Sequence, residues 1–176
     1  DRLCVTVGAS NEDVVLYVDG TRVENPEKNL VWRGADAFFS AVGERRGLTV
    51  HLEKNIPMQA GLGGGSADCA AILHGLNCVW GSPLSSDQLC KIGASLGADV
   101  PFCLRGGTLR AEGIGEVLSP LPAMPDCFIL VAMGKETMPT PLAFAQLDQM
   151  YDRFRERKPR DTDYHSVCRA LENGAL

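Results

Sequence analysis

Pro57-Met58-Gln59-Ala60-Gly61-Leu62-Gly63-Gly64-Gly65-Ser66-Ala67-Asp68 is the stretch of sequence around which the chain is organised. Four of the five residues from 61 to 65 are glycines. Such a run cannot form a strand or a helix interior, because glycine loses much backbone entropy on ordering and offers no side chain to pack. Bare backbone is useful where the chain must approach another molecule closely, so the run predicts a functional loop.

The segments on either side of the glycines have opposite periodicities. Residues 47–56 alternate between apolar and polar side chains, with Leu48, Val50 and Leu52 on one face, which predicts a strand. Residues 66–80 have the three-and-four spacing of an amphipathic helix, for which Ser66 is the expected N-cap. The predicted buried stripe of this helix consists of Cys69, Ile72, Leu73, Leu76, Val79 and Trp80.

A strand, a glycine loop and a helix N-terminus together favour an anion site. Free backbone N–H groups and the positive end of the helix dipole would bind a phosphate. Two known phosphate motifs fit poorly, because no lysine follows the glycines and Ser66 replaces the last glycine of the dinucleotide fingerprint. An ordinary flexible turn remains the alternative at this level.

Composition excludes some classes of protein. The chain has 176 residues, enough for one large or two small domains, and a net charge of −5, which disfavours general binding to nucleic acid or anionic membranes. No apolar run approaches the roughly 20 residues of a membrane span, and no signal segment is apparent. The seven cysteines form no C-x-x-C pair, so we expect reduced core residues in a cytoplasmic protein.

The remaining elements follow from local patterns. A hairpin is predicted at Asp19-Gly20, and a capping box at Ser85 and Gln88 predicts a helix from 85 to about 96. Further helices are predicted at 26–42, 140–151 and from 161 or 162 to 172. Further strands are predicted at 3–7, 14–18, 21–23, 102–104, 108–112, 116–118 and, buried on both faces, 127–133. The proline-rich residues 119–125 are the best linker, which divides the chain into domains 1–122 and 123–176.

Three segments carry a resemblance to a known family: PMQAGLGGGSADCAA at 57–71, LGADVP at 96–101 and GGTLRAEGIGE at 106–116. The chain resembles the GHMP kinases, and within them it is most similar to the 4-diphosphocytidyl-2-C-methyl-D-erythritol kinases of the non-mevalonate isoprenoid pathway. The resemblance implies an α+β fold, with a first domain like ribosomal protein S5 domain 2 and the start of a ferredoxin-like second domain. It also implies ATP- and Mg²⁺-dependent phosphorylation of the 2-hydroxyl of that cytidine diphosphate derivative.

The resemblance implies ATP-binding residues around the glycine loop. Asn29, Leu30 and Lys54 match positions near the adenine and ribose, although Lys54 could also be a solvated lysine at a strand end. Ser66 would cap the helix, contact phosphate or magnesium, or do both. Asp68, expected in the first helical turn, would compensate the dipole rather than bind metal, so no metal ligand is assigned. The loop residues expected to bind ATP are Pro57, Met58, Gln59, Ala60, Gly61, Leu62, Gly63, Gly64, Gly65 and Ser66.

Asp99, in the LGADVP segment, is the expected catalytic residue. Phosphoryl transfer requires a group that accepts the proton of the attacked hydroxyl, and a carboxylate held by a tight turn suits that role. The alternative is an aspartate that only caps local backbone. Ile114, Thr140, Pro141 and Phe144 match family positions that line the cytidine diphosphate pocket, and core packing is the alternative for Phe144.

The match also lacks two pieces of the family pattern, an initial segment and a final glycine-rich motif. We therefore expect an internal fragment that binds nucleotide weakly or not at all by itself. The alternative functions are another GHMP small-molecule kinase, a catalytically incomplete nucleotide-binding fragment and, with the weakest support, a dinucleotide-dependent oxidoreductase. Oligomeric state is not indicated by the sequence.

Overall fold

The computed structural model of the chain describes residues 1–10, 13–58, 60–132, 140–153 and 164–173. Within these residues, a four-stranded sheet is covered on one face by helices, and a two-stranded hairpin follows. Helices and antiparallel strands are combined with a single parallel pairing, so the predicted α+β class is confirmed. None of the helices in the described part of the chain is long and apolar enough to cross a membrane.

The sheet consists of β1 (Arg2–Ser10), β2 (Val14–Val18), β3 (Thr21–Arg22) and β4 (Arg46–Glu53), in the order β1-β4-β2-β3. β4 pairs antiparallel with β1 and parallel with β2. The hairpin predicted at Asp19-Gly20 joins β2 to β3, with φ values of 48° and 78° that suit a tight two-residue turn. The inner face of β4 buries Leu48, Val50 and Leu52, as its alternation predicts.

α1 (Leu30–Val42) and α2 (Gly64–Val79) cover the inner face of the sheet. They approach closely at Gly34, where a Cβ atom would lie 2.9 Å from Ile72 Cγ2 and 3.2 Å from Cys69 Sγ. The core also contains Leu16, Val31, Ala35, Phe38, Phe39, Leu73, Leu76, Leu89 and Val100.

The starts of both helices differ from the prediction. The segment predicted as one helix from 26 to 42 begins as a separate 3-10 turn, Pro26–Lys28, and α1 starts only after Asn29, whose side chain accepts a hydrogen bond from Val31 N at 2.9 Å. α2 begins at Gly64, and its N-cap is Gly63 with φ of 68°, not Ser66. Gly64 and Gly65 therefore belong to the first helical turn, and at Gly64 a side chain would meet Ile56.

Two further expectations about α2 and β4 are wrong. Val79, the last residue of the helix, is exposed rather than part of the buried stripe, although Leu76 in the same turn is buried. β4 ends at Glu53, so Ile56 belongs to the loop and not to the strand.

α3 (Ser86–Leu96) starts with the predicted capping box: Gln88 N donates to Ser85 Oγ at 3.3 Å, and Ser85 N donates to Gln88 Oε1 at 2.8 Å. The strand predicted at 102–104 is wrong, because these residues belong to α4 (Val100–Arg105). Pro101 lies in the first turn of α4, where proline is well tolerated. A short apolar run does not distinguish a strand from a buried helical turn.

β5 (Leu109–Glu112) and β6 (Val117–Pro120) form the two-stranded hairpin, near the predicted positions. The predicted buried strand at 127–133 is wrong for residues 127–132, which have no regular structure, and Phe128, Ile129, Leu130 and Val131 are exposed. No neighbouring strand pairs with them among the described residues, so apolar character alone does not order them. α5 (Thr140–Arg153) and α6 (Tyr164–Glu172) follow; the predicted cap of α6 and Met133 lie outside the described residues.

All seven cysteines are free, as predicted, but most are not core residues. Cys69 alone is fully buried, whereas Cys4, Cys78 and Cys127 are exposed and the other three are partly buried. Cys4 lies opposite His51 on β4, on the face that the helices leave uncovered. Their occurrence in apolar patterns therefore overstated their burial.

Candidate active site

A cleft of about 450 Å³ lies where β4, the glycine loop and the first residues of α1 and α2 meet. It collects residues that are far apart in the sequence, because the loop after β4 passes over the start of α1 and Asp99 approaches from the start of α4. Of the residues predicted to act, the cleft is lined by Asn29, Leu30, Lys54, Pro57, Met58, Ala60, Gly61, Leu62, Gly63, Gly64, Gly65, Ser66 and Asp99. Gln59 lies outside the described residues.

The glycines are required by the geometry of the loop. Gly61 and Gly63 have φ of 72° and 68°, a left-handed conformation that disfavours other residues. At Gly64, a Cβ atom would lie 3.0 Å from Ile56 Cγ2 and 3.3 Å from Lys54 Nζ. The backbone therefore lies close to both neighbours, and the first residues of α2 line the cleft.

The N-terminus of α2 has two properties that favour the binding of an anion. The first N–H groups of a helix have no intrahelical acceptor, and no described side chain caps α2. The helix has 16 residues, so its dipole adds positive potential at that end. A phosphate group would satisfy these donors. The start of α1 differs, because the side chain of Asn29 already accepts the N–H of Val31 there.

Lys54 is not a solvated lysine at the end of a strand. Its side chain is 11% exposed and its ammonium lies between two carboxylates, with Nζ 2.7 Å from Asp68 Oδ2 and in an ion pair with Asp1. Asp68 is buried and lies beyond the first turn of α2, so the dipole-compensating role expected for it is wrong. The sequence did not indicate this ion cluster, because no local pattern links Asp1 to residues more than fifty positions away.

Asp99 has a different environment. It occupies the N-cap position of α4, but its side chain makes no capping hydrogen bond, so the backbone-capping alternative does not describe it. It is exposed and lines the cleft, and no hydrogen bond or ion pair engages its carboxylate within the described part of the chain. Ser66 is close to the same segment, since its Oγ lies 3.9 Å from the Cβ position of Gly97.

The electrostatics of the site also affect a neighbouring thiol. Burial, followed by the negative charge of Asp99, raises the pKa of Cys103 above its usual value. Cys103 therefore remains a neutral thiol beside the carboxylate at physiological pH. A neutral Cys103 therefore adds no second negative charge beside the Asp99 carboxylate.

The residues predicted to bind the second substrate are not gathered in the cleft. Ile114 is exposed at the tip of the β5–β6 hairpin, and the adjacent Gly115 lies against the segment before Asp99: its Cβ position is 3.1 Å from the carbonyl oxygen of Ala98. Phe144 is exposed on α5, which argues against core packing among the described residues. Thr140 and Pro141 begin α5, and their side chains lie outside the described part of the structure.

A second cavity, of about 570 Å³, lies between β2, the residues after β3 and α1. It is larger than the cleft, but it shares no lining residue with it. It has neither a glycine loop nor a helix N-terminus of more than one turn. The chemistry of the residues therefore places the candidate site in the smaller cleft.

Comparison with known proteins gives a consistent result. The family model described as the GHMP kinases N terminal domain matches residues 29–107. A 4-diphosphocytidyl-2-C-methyl-D-erythritol kinase of Enterococcus faecalis is 40% identical over 77% of this chain and 48% of its own length. One of Desulfitobacterium hafniense is 42% identical over 84% of this chain and 49% of its own length.

A crystal structure of 4-(cytidine 5'-diphospho)-2C-methyl-D-erythritol kinase superposes with a TM-score of 0.65 at 30% identity, covering 98% of this chain and 58% of that one. The chain thus spans about half the length of the curated relatives it matches. The matched family segment includes the glycine loop, Lys54 and Asp99.

Proposed function

Since this chain belongs to the GHMP kinases, we propose that it carries the ATP site and the catalytic carboxylate of an alcohol kinase. The reaction is the phosphorylation of the 2-hydroxyl of 4-diphosphocytidyl-2-C-methyl-D-erythritol in isoprenoid precursor synthesis. The observation that carries the proposal is that the N-terminus of α2 and the carboxylate of Asp99 line one cleft, and that neither has a side-chain partner within the described residues. The helix N-terminus would bind phosphate, and the carboxylate would accept the proton of an alcohol.

The residues of the cleft fit ATP. Backbone N–H groups from Gly63 to Ser66 would bind the phosphates, and Asn29, Leu30 and Met58 would surround the base and ribose. Space beside the loop is open at Gly61 and Gly63, where a Cβ atom would meet nothing within 4 Å. Magnesium held by the phosphates would neutralise their charge, and the Ser66 hydroxyl in the first turn of α2 would be a candidate ligand for it.

Asp99 would act as the base. Its carboxylate would accept the proton of the substrate hydroxyl while that oxygen forms its bond to the γ-phosphorus and the bond to the leaving oxygen of ADP breaks. The absence of a capping bond leaves both carboxylate oxygens available for this step. Asp99 is the N-cap of α4, so the helix fixes the position of its backbone in the cleft.

The cytidine diphosphate side of the substrate would be bound by Ile114, Thr140, Pro141 and Phe144. An exposed aromatic ring such as Phe144 could stack on a cytosine, and the hairpin tip adjoins the segment before Asp99. We also propose the division into an ATP-binding domain at 1–122 and a substrate domain that begins at 123. Another GHMP small-molecule kinase is the alternative if this substrate is not used.

The test is phosphoryl transfer by the intact protein that carries this sequence, comparing the wild type with Asp99→Asn. With ATP, Mg²⁺ and the cytidine diphosphate alcohol supplied, we expect kcat to fall by about 10²- to 10⁴-fold while the Kd for ATP changes less than about twofold. Release of ADP is the measurement.

Asp126→Asn is the matched control, because Asp126 is an exposed carboxylate that does not line the cleft. It should leave kcat unchanged. If Asp99→Asn had the same kcat as the wild type, Asp99 would not be the catalytic base. Turnover only with other alcohols, such as homoserine or mevalonate, would reassign the substrate.

A further inference from the structure

Three segments of the chain meet at the ammonium group of Lys54. β4 delivers Lys54 directly after its last residue, α2 supplies Asp68, and Asp1 precedes β1. The side chains of the two carboxylates are only 5% and 7% exposed. Asp1 Oδ1 also accepts the backbone N–H groups of Asn55 and Ile56, at 2.6 and 2.7 Å, which fixes the first residues of the glycine loop.

The position of the ammonium is unusual for a cation. Nζ lies 3.3 Å from the Cβ position of Gly64, at the positive end of α2, where a cation is disfavoured by the helix dipole. Burial also removes water from the ammonium, which is costly unless the charge is paired. Asp68 and Asp1 offset both costs, so the ammonium is held under the loop and not in solvent.

The consequence is a rigid support for the loop. Gly61, Gly63 and Gly64 lack side chains that could fix their conformation, and an unsupported glycine run loses much entropy when it binds a ligand. The ion pair between Lys54 and Asp68 links the strand before the loop to the helix after it. Both residues line the cleft, so the link lies directly beside the proposed phosphate site.

We propose that Asp68 is a positioning residue for nucleotide binding: its carboxylate holds the Lys54 ammonium against the start of α2 and thereby fixes the glycine loop in the conformation that accepts the ATP phosphates. This inference rests on the proposed function, because it assumes that the cleft takes a nucleoside triphosphate. Asp68 is proposed to affect the affinity for ATP, whereas Asp99 is proposed to act in the phosphoryl transfer step.

Asp68→Asn separates three roles that the residue could have. Removal of a negative charge beside a phosphate site should tighten ATP binding if only the charge matters. Loss of a metal ligand should weaken binding of MgATP and leave metal-free ATP unchanged. Loss of a positioning residue should weaken both forms alike, by about tenfold, because the loop must then be ordered at the expense of binding.

The experiment measures Kd for ATP by calorimetry in the intact protein, once with Mg²⁺ and once with EDTA, and measures kcat and KM in parallel. For Asp68→Asn we expect Kd to rise about tenfold in both conditions, KM for ATP to rise with it, and kcat at saturating ATP to stay within about twofold. Lys54→Met should show the same split, and the double variant should be no worse than Lys54→Met, since both changes break one link.

Controls keep the outcomes distinct. Asp87→Asn breaks the exposed ion pair with Arg105 and should leave Kd unchanged. Thermal melting reports folding; if Asp68→Asn does not fold, Asp1→Asn breaks the other arm of the cluster and should show the same split with a smaller change. Tighter binding, a loss confined to MgATP, or additive effects of the two variants would overturn the positioning role. A wild type that binds no ATP would overturn the proposed function itself, whereas ATP binding without turnover of the cytidine diphosphate alcohol would refute only its substrate.

Discussion

Asp68 and Asp99 are both aspartates close to glycines in the sequence, yet their surroundings give them different chemistry. Asp99 is exposed and has no partner in the described structure, while Asp68 is buried against Lys54. The LGADVP motif suggested a catalytic role for Asp99, and that role stays a prediction. The role of Asp68 could not be predicted, because its partner lies on another element and its position in α2 depends on where the helix begins.

Ser66 illustrates the same limit on a smaller scale. A serine before an apolar helical pattern is a strong N-cap signal. The N-cap is nevertheless Gly63, three residues earlier, and the backbone at Gly64 lies close to Ile56 and Lys54. Tertiary contacts overrode a local preference, and they moved the free N–H groups further into the glycine run.

Cys69 gives a prediction at the scale of a single residue. Burial is the main reason that its pKa rises from 9.0 to about 12, with the charge of Arg33 opposing the shift. We expect Cys69 to stay unlabelled by iodoacetamide in the folded protein at pH 9.5, while the exposed Cys4, Cys78 and Cys127 are labelled. Mass spectrometry of peptides after timed labelling is the measurement.

The same shift has a consequence for stability. A thiol whose pKa is raised in the folded state favours folding at low pH, because the unfolded thiol ionises first as the pH rises. This contribution is complete below about pH 9 and is lost progressively between pH 9 and 12. Urea titrations should therefore show a smaller loss of stability over pH 8–10 in Cys69→Ala than in the wild type. Rapid labelling of native Cys69 would contradict its burial.

At the scale of elements, patterns with a local cause were predicted well and patterns that need a partner were not. The Asp19-Gly20 hairpin and the Ser85 capping box depend on neighbouring residues, and both are present. The strands predicted at 102–104 and 127–133 were assigned from apolar character alone. Apolar character measures the tendency to be buried, and it does not specify whether a helix or a sheet provides the burial.

Gly93 and Gly75 form a matched pair for testing how α4 is held. A Cβ atom at Gly93 in α3 would lie 2.8 Å from Cγ1 of the fully buried Val100 and 3.0 Å from Leu104 Cδ1. Because valine is stiff in a helix, α4 must move. We expect Gly93→Ala to destabilise the protein by about 1–3 kcal/mol and to lower kcat, since α4 carries Asp99.

Gly75→Ala is the control for this prediction. Gly75 lies inside α2 and a Cβ atom there meets nothing within 4 Å, so only the helix propensity changes. We expect stabilisation by about 0.5–1 kcal/mol with unchanged turnover. Chemical denaturation measures the free energy of unfolding of both variants and of the wild type. If Gly93→Ala were as stable as Gly75→Ala, the contact between α3 and α4 would not be tight.

At the scale of the whole molecule, the buried core is concentrated in one part of the chain. All the buried hydrophobic residues identified in the described structure lie between Val14 and Val100. The family segment at 29–107 covers most of this region, together with the glycine loop and Asp99. The residues that form the core and the residues proposed to bind ATP therefore lie in the same part of the chain, so the segments that indicated the fold also suggested the candidate site.

Residues 1–122 should consequently fold without the rest of the chain. The hairpin of β5 and β6 is held by the contact of Gly115 with Ala98 and by the hydrogen bond from Leu121 N to Thr108 O at 2.9 Å. Beyond it, residues 128–131 expose apolar side chains and contribute nothing to the described core. Removing residues 123–176 thus removes none of the core residues identified in the described structure and should leave the packing of α1 and α2 on the sheet intact.

We expect the 1–122 chain to melt cooperatively within about 5 °C of the full chain, a difference that corresponds to roughly 1 kcal/mol for a domain of this size. Its affinity for ATP should match that of the 176-residue chain within about twofold. A chain ending at residue 97 is the contrast, because it lacks the fully buried Val100 and all of α4, and it should not fold. Circular dichroism melting compares the three chains. If 1–122 is unfolded while the full chain is folded, residues after 122 must complete the core, and the boundary proposed between the ATP-binding and substrate domains is wrong.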